Sequence, residues 1–569
     1  MNVERTIKSV IRKARRILRP KPTGQWSDLL LRERSVWNAA RKAARSGARV
    51  LVATSTGGHS GVTPVEGMLA VALTLRGANV HFLLCDKFLP ACLLCTHRGM
   101  DGDADFVANG PRRFCDGCFA AGEMNYEPWD LPIHRYSESV TCDEIAEAER
   151  ISQSVPMADI DGYKLDGMAV GEHALAGALR FFARGDLDGE PNAEPVLRRY
   201  FKAALLTVFA VRRLIERHKF DIVVFHHGIY VPQGLVGEAA RRLGSRVVNW
   251  AISYRKQCLI FSHGDTYHHT LMTEPVDRWE NLTLPSETEA MLMDYLESRA
   301  YGTNDWIRFV QKPHFDLDAV SRELGVDFSK PCVGLLSNVI WDAQLHYPAN
   351  AFPSMLDWLF ETIEWFAKRP GLQLIIRVHP AESTGHVPAR QRLVDEIAKR
   401  FPEPPRNVFV IAPENVVSTY AVMEQCDTVI LFGTKTGVEL TARGMPVIVA
   451  GEAWIRNKGV TMDARDPAHY FELLEKLPLR EKLDAATTAR ARRYAYHFFF
   501  RRMIPVDCIE QLHGKKSLFR ISAQSLDDLR PGVSRGLDII CDGILNGSDF
   551  IYPAEKFEPA PDLVPVATP

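Results

Sequence analysis

Residues 374–380 read Leu374-Ile375-Ile376-Arg377-Val378-His379-Pro380, an apolar run that ends in polar residues. Such a run is typical of a buried strand in a parallel sheet. The pattern places Arg377 and His379 at the carboxyl end of the strand, which is the edge where open α/β sheets bind ligands. A guanidinium and an imidazole there can bind a phosphate, although the same pair can also end a strand by chance.

A second apolar run leads into residues 433–437, a loop with two glycines, two threonines and a lysine. Glycines let the backbone approach a ligand closely, and a helix N-terminus favours an anion. The expected phosphate ligands of this loop are Thr434, Lys435 and Thr436. Glu439 follows Thr436 by three residues, a spacing that suits either a ribose contact or the acidic half of a capping box.

Short apolar runs alternate with helical patterns on both sides of these two segments. The predicted strands are 49–54, 79–84, 220–225, 246–250, 332–336, 372–378, 407–411, 428–432 and 446–450. Alternating strands and helices predict parallel sheets with helices on both faces. We therefore predict an α/β fold with two doubly wound, Rossmann-like domains and a ligand cleft between them.

A chain of 569 residues is too long for a single core. We predict an N-terminal extension over residues 1–45, a first domain over 46–327, a second domain over 328–500, and a C-terminal helical extension and tail over 501–569.

The first 21 residues combine an apolar helical stripe with a cluster of lysines and arginines. A basic amphipathic helix can lie on an anionic membrane or pack on the protein itself. The chain has no apolar run long enough to cross a bilayer and no secretory signal pattern. We therefore predict a cytoplasmic protein whose basic helix is a candidate contact with the inner face of the membrane. A net charge of −1 gives no reason to expect nucleic acid as a partner.

Four of the eleven cysteines form two C-x-x-C pairs, Cys92 with Cys95 and Cys115 with Cys118. Their spacing matches that of four-thiolate zinc sites. A short segment rich in Gly, Asp and Arg builds little core, so we expect a structural zinc to fold an insertion over residues 85–125. An iron–sulfur cluster, unlinked thiols or disulfides would fit the same spacing.

In their order and spacing, residues 377–380, 433–439 and 444–448 resemble the donor-nucleotide half of GT-B glycosyltransferases. More narrowly, they are similar to bacterial capsule polysaccharide biosynthesis proteins. The resemblance covers about residues 46–500 and is strongest over 331–460. It implies that Arg377 and His379 contact the donor phosphates and that Glu439 holds the ribose. No catalytic metal is needed if Arg377, His379, Lys435 and the helix N-terminus neutralise the phosphate charge.

The resemblance implies transfer of a sugar from a nucleotide-activated donor to a surface polysaccharide or a lipid-linked acceptor. Retaining members often pair the glutamate with an acid eight residues upstream, and Leu431 occupies that position here. We therefore expect inversion, which needs a general base. The candidate bases are His59 in the first Gly-rich loop, His227 after a first-domain strand, and Asp342 after the first strand of the second domain. Residues 262–269, rich in His and Asp, are a candidate acceptor contact.

Two other functions fit the same sequence. A CDP-polyol phosphotransferase would use the same phosphate site and differ only in the group transferred. A non-catalytic, membrane-associated scaffold would use the basic helix and the cysteine-rich segment to recruit partners.

Overall fold

The structure is a computed structural model that describes residues 25–100, 102–307, 309–310, 312–343, 345, 347–512 and 519–557. The basic helix predicted within the first 21 residues lies outside this part of the chain, and its contact with a membrane stays a prediction. Across the described ranges, the model contains no helix with the length and apolar character of a membrane span.

A seven-stranded sheet forms the centre of the first domain, in the order β13-β6-β5-β4-β1-β2-β3. Its strands are β1 Arg49–Ser55, β2 Asn79–Leu84, β3 Ile133–Arg135, β4 Ile222–His226, β5 Arg246–Ile252, β6 Cys258–His263 and β13 Ile504–Pro505. The first five strands pair in parallel, as predicted for β1, β2, β4 and β5, whereas β3 was not predicted. β6 and β13 add an antiparallel edge that the sequence analysis did not identify.

A six-stranded parallel sheet forms the centre of the second domain, in the order β12-β11-β10-β7-β8-β9. Its strands are β7 Cys332–Leu336, β8 Gln373–Arg377, β9 Val408–Ile411, β10 Thr428–Leu431, β11 Val447–Val449 and β12 Met462–Asp463. A separate hairpin joins β14 Ile509–Gln511 to β15 Phe519–Ile521. Every residue of β7, β8 and β10 is buried, which requires cover on both faces of the sheet.

Helices cover both sheets. Up to the start of the second sheet they are Gln25–Arg32, Arg34–Ala44, Thr63–Leu75, Asp103–Asn109, Arg112–Tyr126, Cys142–Ser154, Val170–Phe182, Ala193–His218, Gln233–Arg242, Tyr267–Thr273, Ser286–Tyr301 and Leu317–Leu324. The later helices are Met355–Ala367, Ala381–Thr384, Leu393–Arg400, Thr419–Glu424, Thr436–Ala442, Pro467–Leu474, Ala485–Tyr496 and Arg535–Asn546, with a π-helical turn over His497–Arg502. The predicted α/β architecture of two doubly wound domains is confirmed.

The C-terminal part of the chain returns to the first domain. β13 pairs with β6, and the helix Arg535–Asn546 packs on the helix Thr63–Leu75. Three side chains of this last helix, Leu537, Ile540 and Ile544, are fully buried. Burial of each stabilises the fold by about 1.5–3 kcal/mol. The residues after 500 are therefore part of the first domain's core as well as an extension of the second.

The helix that follows the first Gly-rich loop begins at Thr63. Val62 is its N-cap residue and makes no side-chain cap. Glu66, in the first turn, is buried, and Tyr126 donates a hydrogen bond of 2.6 Å to it. Burial raises the pKa of Glu66 to about 7.

Candidate active site

A cleft of about 510 Å³ lies where the two domains face each other, at the carboxyl ends of strands from the second sheet. Of the residues predicted to form the site, those that line it are Asp342, Arg377, His379, Thr434, Lys435 and Thr436. The first domain contributes Arg180, Tyr254 and His268 to the opposite wall. The structure therefore brings most of the predicted donor site together, and it adds residues from segments that carry no motif.

His379 follows β8 and is fixed by the backbone around it. Its amide donates to the hydroxyl of Ser337 at 3.0 Å, and its Nδ1 accepts a hydrogen bond of 3.1 Å from the amide of Ala381. Burial, helped by the charges of Lys435 and Arg377, lowers the pKa of His379 to about 4. A neutral imidazole whose Nδ1 accepts must carry its proton on Nε2, so His379 presents one N–H donor to a ligand.

Arg377 lies at the same strand end but is used by the protein itself. Its guanidinium donates to the carbonyls of Ala412 and Asn415, at 2.6 and 2.8 Å, and to the hydroxyl of Thr419 at 3.3 Å. The side chain is only 1% exposed, and burial lowers its pKa to about 10. Arg377 thus holds the loop before the helix Thr419–Glu424 against the cleft. Its predicted contact with donor phosphates stays a prediction.

The loop after β10 presents two hydroxyls to the cleft. The hydroxyls of Thr434 and Thr436 lie 3.2 Å apart, and the amide of Thr436 donates to the Thr434 hydroxyl at 3.4 Å. Asn338, which follows β7, fixes the start of the loop by accepting from the amide of Gly433 at 3.1 Å. A Cβ at Gly437 would lie 2.9 Å from a methyl group of Ile455, so that glycine serves helix packing.

Glu439 lies beneath this loop, completely buried and surrounded by partners. Arg299 and Lys435 pair with its Oε1 at 3.1 and 2.6 Å, and the Tyr420 hydroxyl donates to its Oε2. Burial alone would raise the pKa of Glu439, but Arg299 and Lys435 overcome that effect and lower it to about 2. Arg299 also pairs with Asp305 at 2.5 Å.

The network around Glu439 bears on both of its expected roles. The helix that begins at Thr436 has Lys435 as its N-cap residue and no side-chain cap, so the capping box is not formed. Both carboxylate oxygens are engaged inside the protein, and the predicted ribose contact stays a prediction. Sequence reasoning missed Arg299 and Tyr420 because they come from remote helices and no spacing relates them to the loop.

Tyr230 connects two of the candidate bases. Its hydroxyl donates to Asp342 at 2.7 Å and accepts from the amide of Ala343 at 2.9 Å. Its ring stacks on the ring of His227, with centroids 5.2 Å apart. Asp342 lines the cleft, while His227 lies behind Tyr230. No motif or spacing marks Tyr230, which follows His227 by three residues.

A row of histidines runs from the first Gly-rich loop to the cleft. Ring centroids are 5.3 Å apart for His59 and His226, 5.7 Å for His226 and His227, and 6.0 Å for His227 and His268. Burial lowers the pKa of His59 to about 4 and those of His227 and His268 to about 3. These three imidazoles are therefore neutral at pH 7. Of the 262–269 segment, His268 reaches the cleft.

The first Gly-rich loop is covered by the cysteine-rich segment. A Cβ at Gly57 would lie 2.4 Å from the Cα of Gly122, and the amide of Gly58 donates to the Cys118 sulfur at 3.1 Å. This loop therefore packs against the helix Arg112–Tyr126. His59, the first candidate base, is placed behind the cleft wall by the same packing.

The expected four-thiolate zinc site is not shown. Cys92 and Cys95 have their sulfurs 3.9 Å apart in the buried core, but across the described residues no three His, Cys, Asp or Glu side chains are arranged to hold a metal. The segment also packs into the core of the first domain, which contradicts the premise that only a metal could fold it. Phe106 is fully buried and stacks on Phe181, in the helix Val170–Phe182, at 4.5 Å. Zinc binding stays a prediction.

Residues 322–495 match the family model described as capsule polysaccharide biosynthesis protein. The second domain is related to that family. The match covers β7 to β11, with His379, the threonine loop and Glu439. The resemblance inferred from the motifs is thus confirmed for the part of the chain that carries them. No curated protein matches the chain.

Solved structures similar to this chain include three enzymes. A KpsC β-Kdo 2,4-transferase of Thermosulfurimonas dismutans is 15% identical, with 51% of this chain and 83% of that chain covered and a TM-score of 0.32. The spinosyn rhamnosyltransferase SpnG is 12% identical, with 79% and 95% covered and a TM-score of 0.23. A UDP-GlcNAc 2-epimerase of Neisseria meningitidis is 11% identical, with 78% and 98% covered and a TM-score of 0.26.

Proposed function

We propose that this protein is a glycosyltransferase that moves a sugar from a nucleotide-activated donor to a surface polysaccharide or lipid-linked acceptor. The observation that carries the proposal is the convergence of His379, Thr434 and Thr436 on one interdomain cleft, within the segment related to capsule polysaccharide biosynthesis proteins. Two strand ends of one parallel sheet supply these groups, at the edge where such sheets bind nucleotides.

The donor phosphates lie against the second domain in this proposal. The Nε2–H of His379 and the hydroxyls of Thr434 and Thr436 donate to phosphate oxygens. Because these donors are fixed by hydrogen bonds to the backbone and to each other, little reorganisation is needed when negative charge grows on the leaving phosphate. The protein supplies position and charge stabilisation, and the bond broken is that between the anomeric carbon and the phosphate oxygen.

Asp342 is the general base that the geometry favours among the three candidates. It lines the cleft and is oriented by the Tyr230 hydroxyl. His59 and His227 are not among the described residues that line the cleft. Asp342 therefore takes the proton of the acceptor hydroxyl as that oxygen attacks the sugar.

The transfer proceeds with inversion in this proposal. Leu431, at the position where retaining relatives often carry an acid, is a fully buried residue of β10. A carboxylate there could not reach the cleft without leaving the strand. A single displacement needs one base, and Asp342, which lines the cleft, can supply it.

Thermal unfolding with UDP, GDP, CMP, CDP and dTDP tests this function. A nucleotide present at 100 times its Kd stabilises the folded protein by about 2.7 kcal/mol, so at least one should raise the Tm by several degrees. His379→Ala should abolish that rise. The control is His469→Ala, in a second-domain helix away from the cleft, which should retain it. Failure of every nucleotide to stabilise the wild-type protein would contradict the proposal.

A further inference from the structure

Most of the positively charged side chains that line the cleft are already bound to other groups of the protein. The lysine and arginine side chains that line it, in the part of the chain that the structure describes, are Arg180, Arg299, Arg377 and Lys435. Arg299 and Lys435 pair with buried carboxylates. Arg377 donates to two carbonyls and a hydroxyl. Three of these four cations are therefore already committed to the protein's own groups.

Arg180 is the exception. It comes from the helix Val170–Phe182 of the first domain, and its guanidinium packs 5.3 Å from the ring of Tyr230 and 5.8 Å from the ring of Trp341. Among the described residues, its Nη1 is buried without a hydrogen-bond partner, and the side chain forms no ion pair. A buried N–H of a charged group that lacks an acceptor is unfavourable, so an arrangement of this kind favours an anionic ligand.

The surroundings of Arg180 also fit an anion. The rings of Tyr230 and Trp341 lie beside the guanidinium at cation–π distance, and a planar guanidinium fork suits two parallel hydrogen bonds to a phosphate or carboxylate. After burial, the charge of Arg180 is a further cause that lowers the pKa of His59 and of His227, so Arg180 lies near both candidate bases. Tyr230 joins it to Asp342, and Trp341 belongs to the second domain. An anion bound by Arg180 therefore lies at the meeting point of both domains.

We infer that Arg180 is the anion-binding residue of the first domain, and that it binds a phosphate or carboxylate group of a substrate. The inference rests on the proposed function for the identity of the substrate, but the anion site itself does not require a nucleotide. Arg180 supplies positive charge to the cleft from the first domain, because Arg299, Arg377 and Lys435 are bound to groups of the protein itself. Glycosyl donors carry phosphate, and acidic sugars carry carboxylate, so both sources have the same chemistry at this site.

Calorimetric titration of wild type, Arg180→Gln and Arg180→Lys tests the inference. The probes are pyrophosphate, UDP, CMP, uridine, glucuronate and glucose. Loss of a charged, paired hydrogen bond should weaken anion binding by about 10- to 150-fold in Arg180→Gln. Arg180→Lys keeps the charge without the fork and should lose less. The control is Arg184→Gln, which removes an arginine of the same region that pairs with Asp186 outside the cleft.

Each outcome decides a separate question. Weaker binding of pyrophosphate and nucleotides, with glucuronate unchanged, identifies the donor phosphates as the ligand. Weaker binding of glucuronate alone identifies a sugar carboxylate. Arg180-dependent pyrophosphate binding without any nucleotide binding supports the anion site and contradicts the proposed glycosyltransferase. Anion affinities that are equal in wild type and both variants, or no anion binding by the wild type, overturn the inference. The Tm of each ligand-free variant shows that it is folded.

Discussion

His379 lines the cleft, whereas Glu439 is buried beneath it among partners inside the protein. Arg299, from a helix far away in sequence, pairs with Glu439, and Tyr420, from the helix Thr419–Glu424 before β10, donates to it. The place of His379 after a buried strand follows from its neighbours along the chain, but the local spacing of Glu439 does not reveal these two partners. A charged side chain near a motif is free for a ligand only if no distant residue reaches it first, and that information is absent from the motif.

Glu439→Gln should be strongly destabilising. The substitution leaves Arg299 and Lys435 buried beside a neutral amide, and removal of one partner from a buried ion pair costs about 3–5 kcal/mol. Urea unfolding at pH 7 measures the free energy of unfolding. Glu475→Gln, which breaks the more exposed pair with Arg369, is the control and should cost about 1 kcal/mol or less. Equal effects of the two substitutions would contradict the structural role of Glu439.

At the scale of elements, most parallel strands were predictable, whereas the parallel strands β3 and β12 and the antiparallel strands β6 and β13 were not. β4 and β10 are continuous apolar runs, and the pattern predicts both to within two residues at either end. β13 is only two residues long and joins the first sheet after more than two hundred residues of intervening chain. A pairing of that kind is decided by tertiary packing, because two residues carry no periodicity.

The far edge of the first sheet carries a histidine cluster that should make stability depend on pH. His81 and His134, on β2 and β3, share a hydrogen bond of 2.8 Å, and the ring of His218 lies 4.5 Å from that of His134. Burial lowers the pKa of His81 to about 4 and that of His134 to about 3, with Arg49 and Arg217 adding positive charge nearby.

The sign of this effect follows from proton binding. Between pH 6.5 and pH 4 the unfolded chain takes up protons that the folded cluster does not, so folding stability falls as pH falls through this range. Because the rings are partly exposed, we expect this cluster to contribute about 1 kcal/mol to the loss of folding stability between pH 7 and pH 5, in addition to the contribution of the buried histidines near the cleft. His134→Gln should reduce that loss, as measured by urea unfolding at both pH values. The same loss in the variant would show that the cluster does not cause it.

At the scale of the whole molecule, the presence of two domains could be predicted, but the packing of distant segments against each other could not. Composition and alternation of strands and helices indicate two sheets, and both are present. The return of the helix Arg535–Asn546 to the first domain is not encoded in any local pattern, nor is the contribution of Arg180 to the cleft. Both depend on how the domains face each other. The cleft residues that follow strands of the second sheet were predictable from those strands, whereas the first-domain residues of the cleft come from several separate segments.

The most direct test of the central claim is a crystal structure of the protein with the nucleotide that raises its Tm most. We predict that the nucleotide phosphates lie in the interdomain cleft, with oxygens within hydrogen-bond distance of His379 Nε2 and of the Thr434 and Thr436 hydroxyls. A nucleotide bound elsewhere, or in the cleft with its phosphates away from these three groups, would contradict the assignment of this cleft as the donor site of a glycosyltransferase.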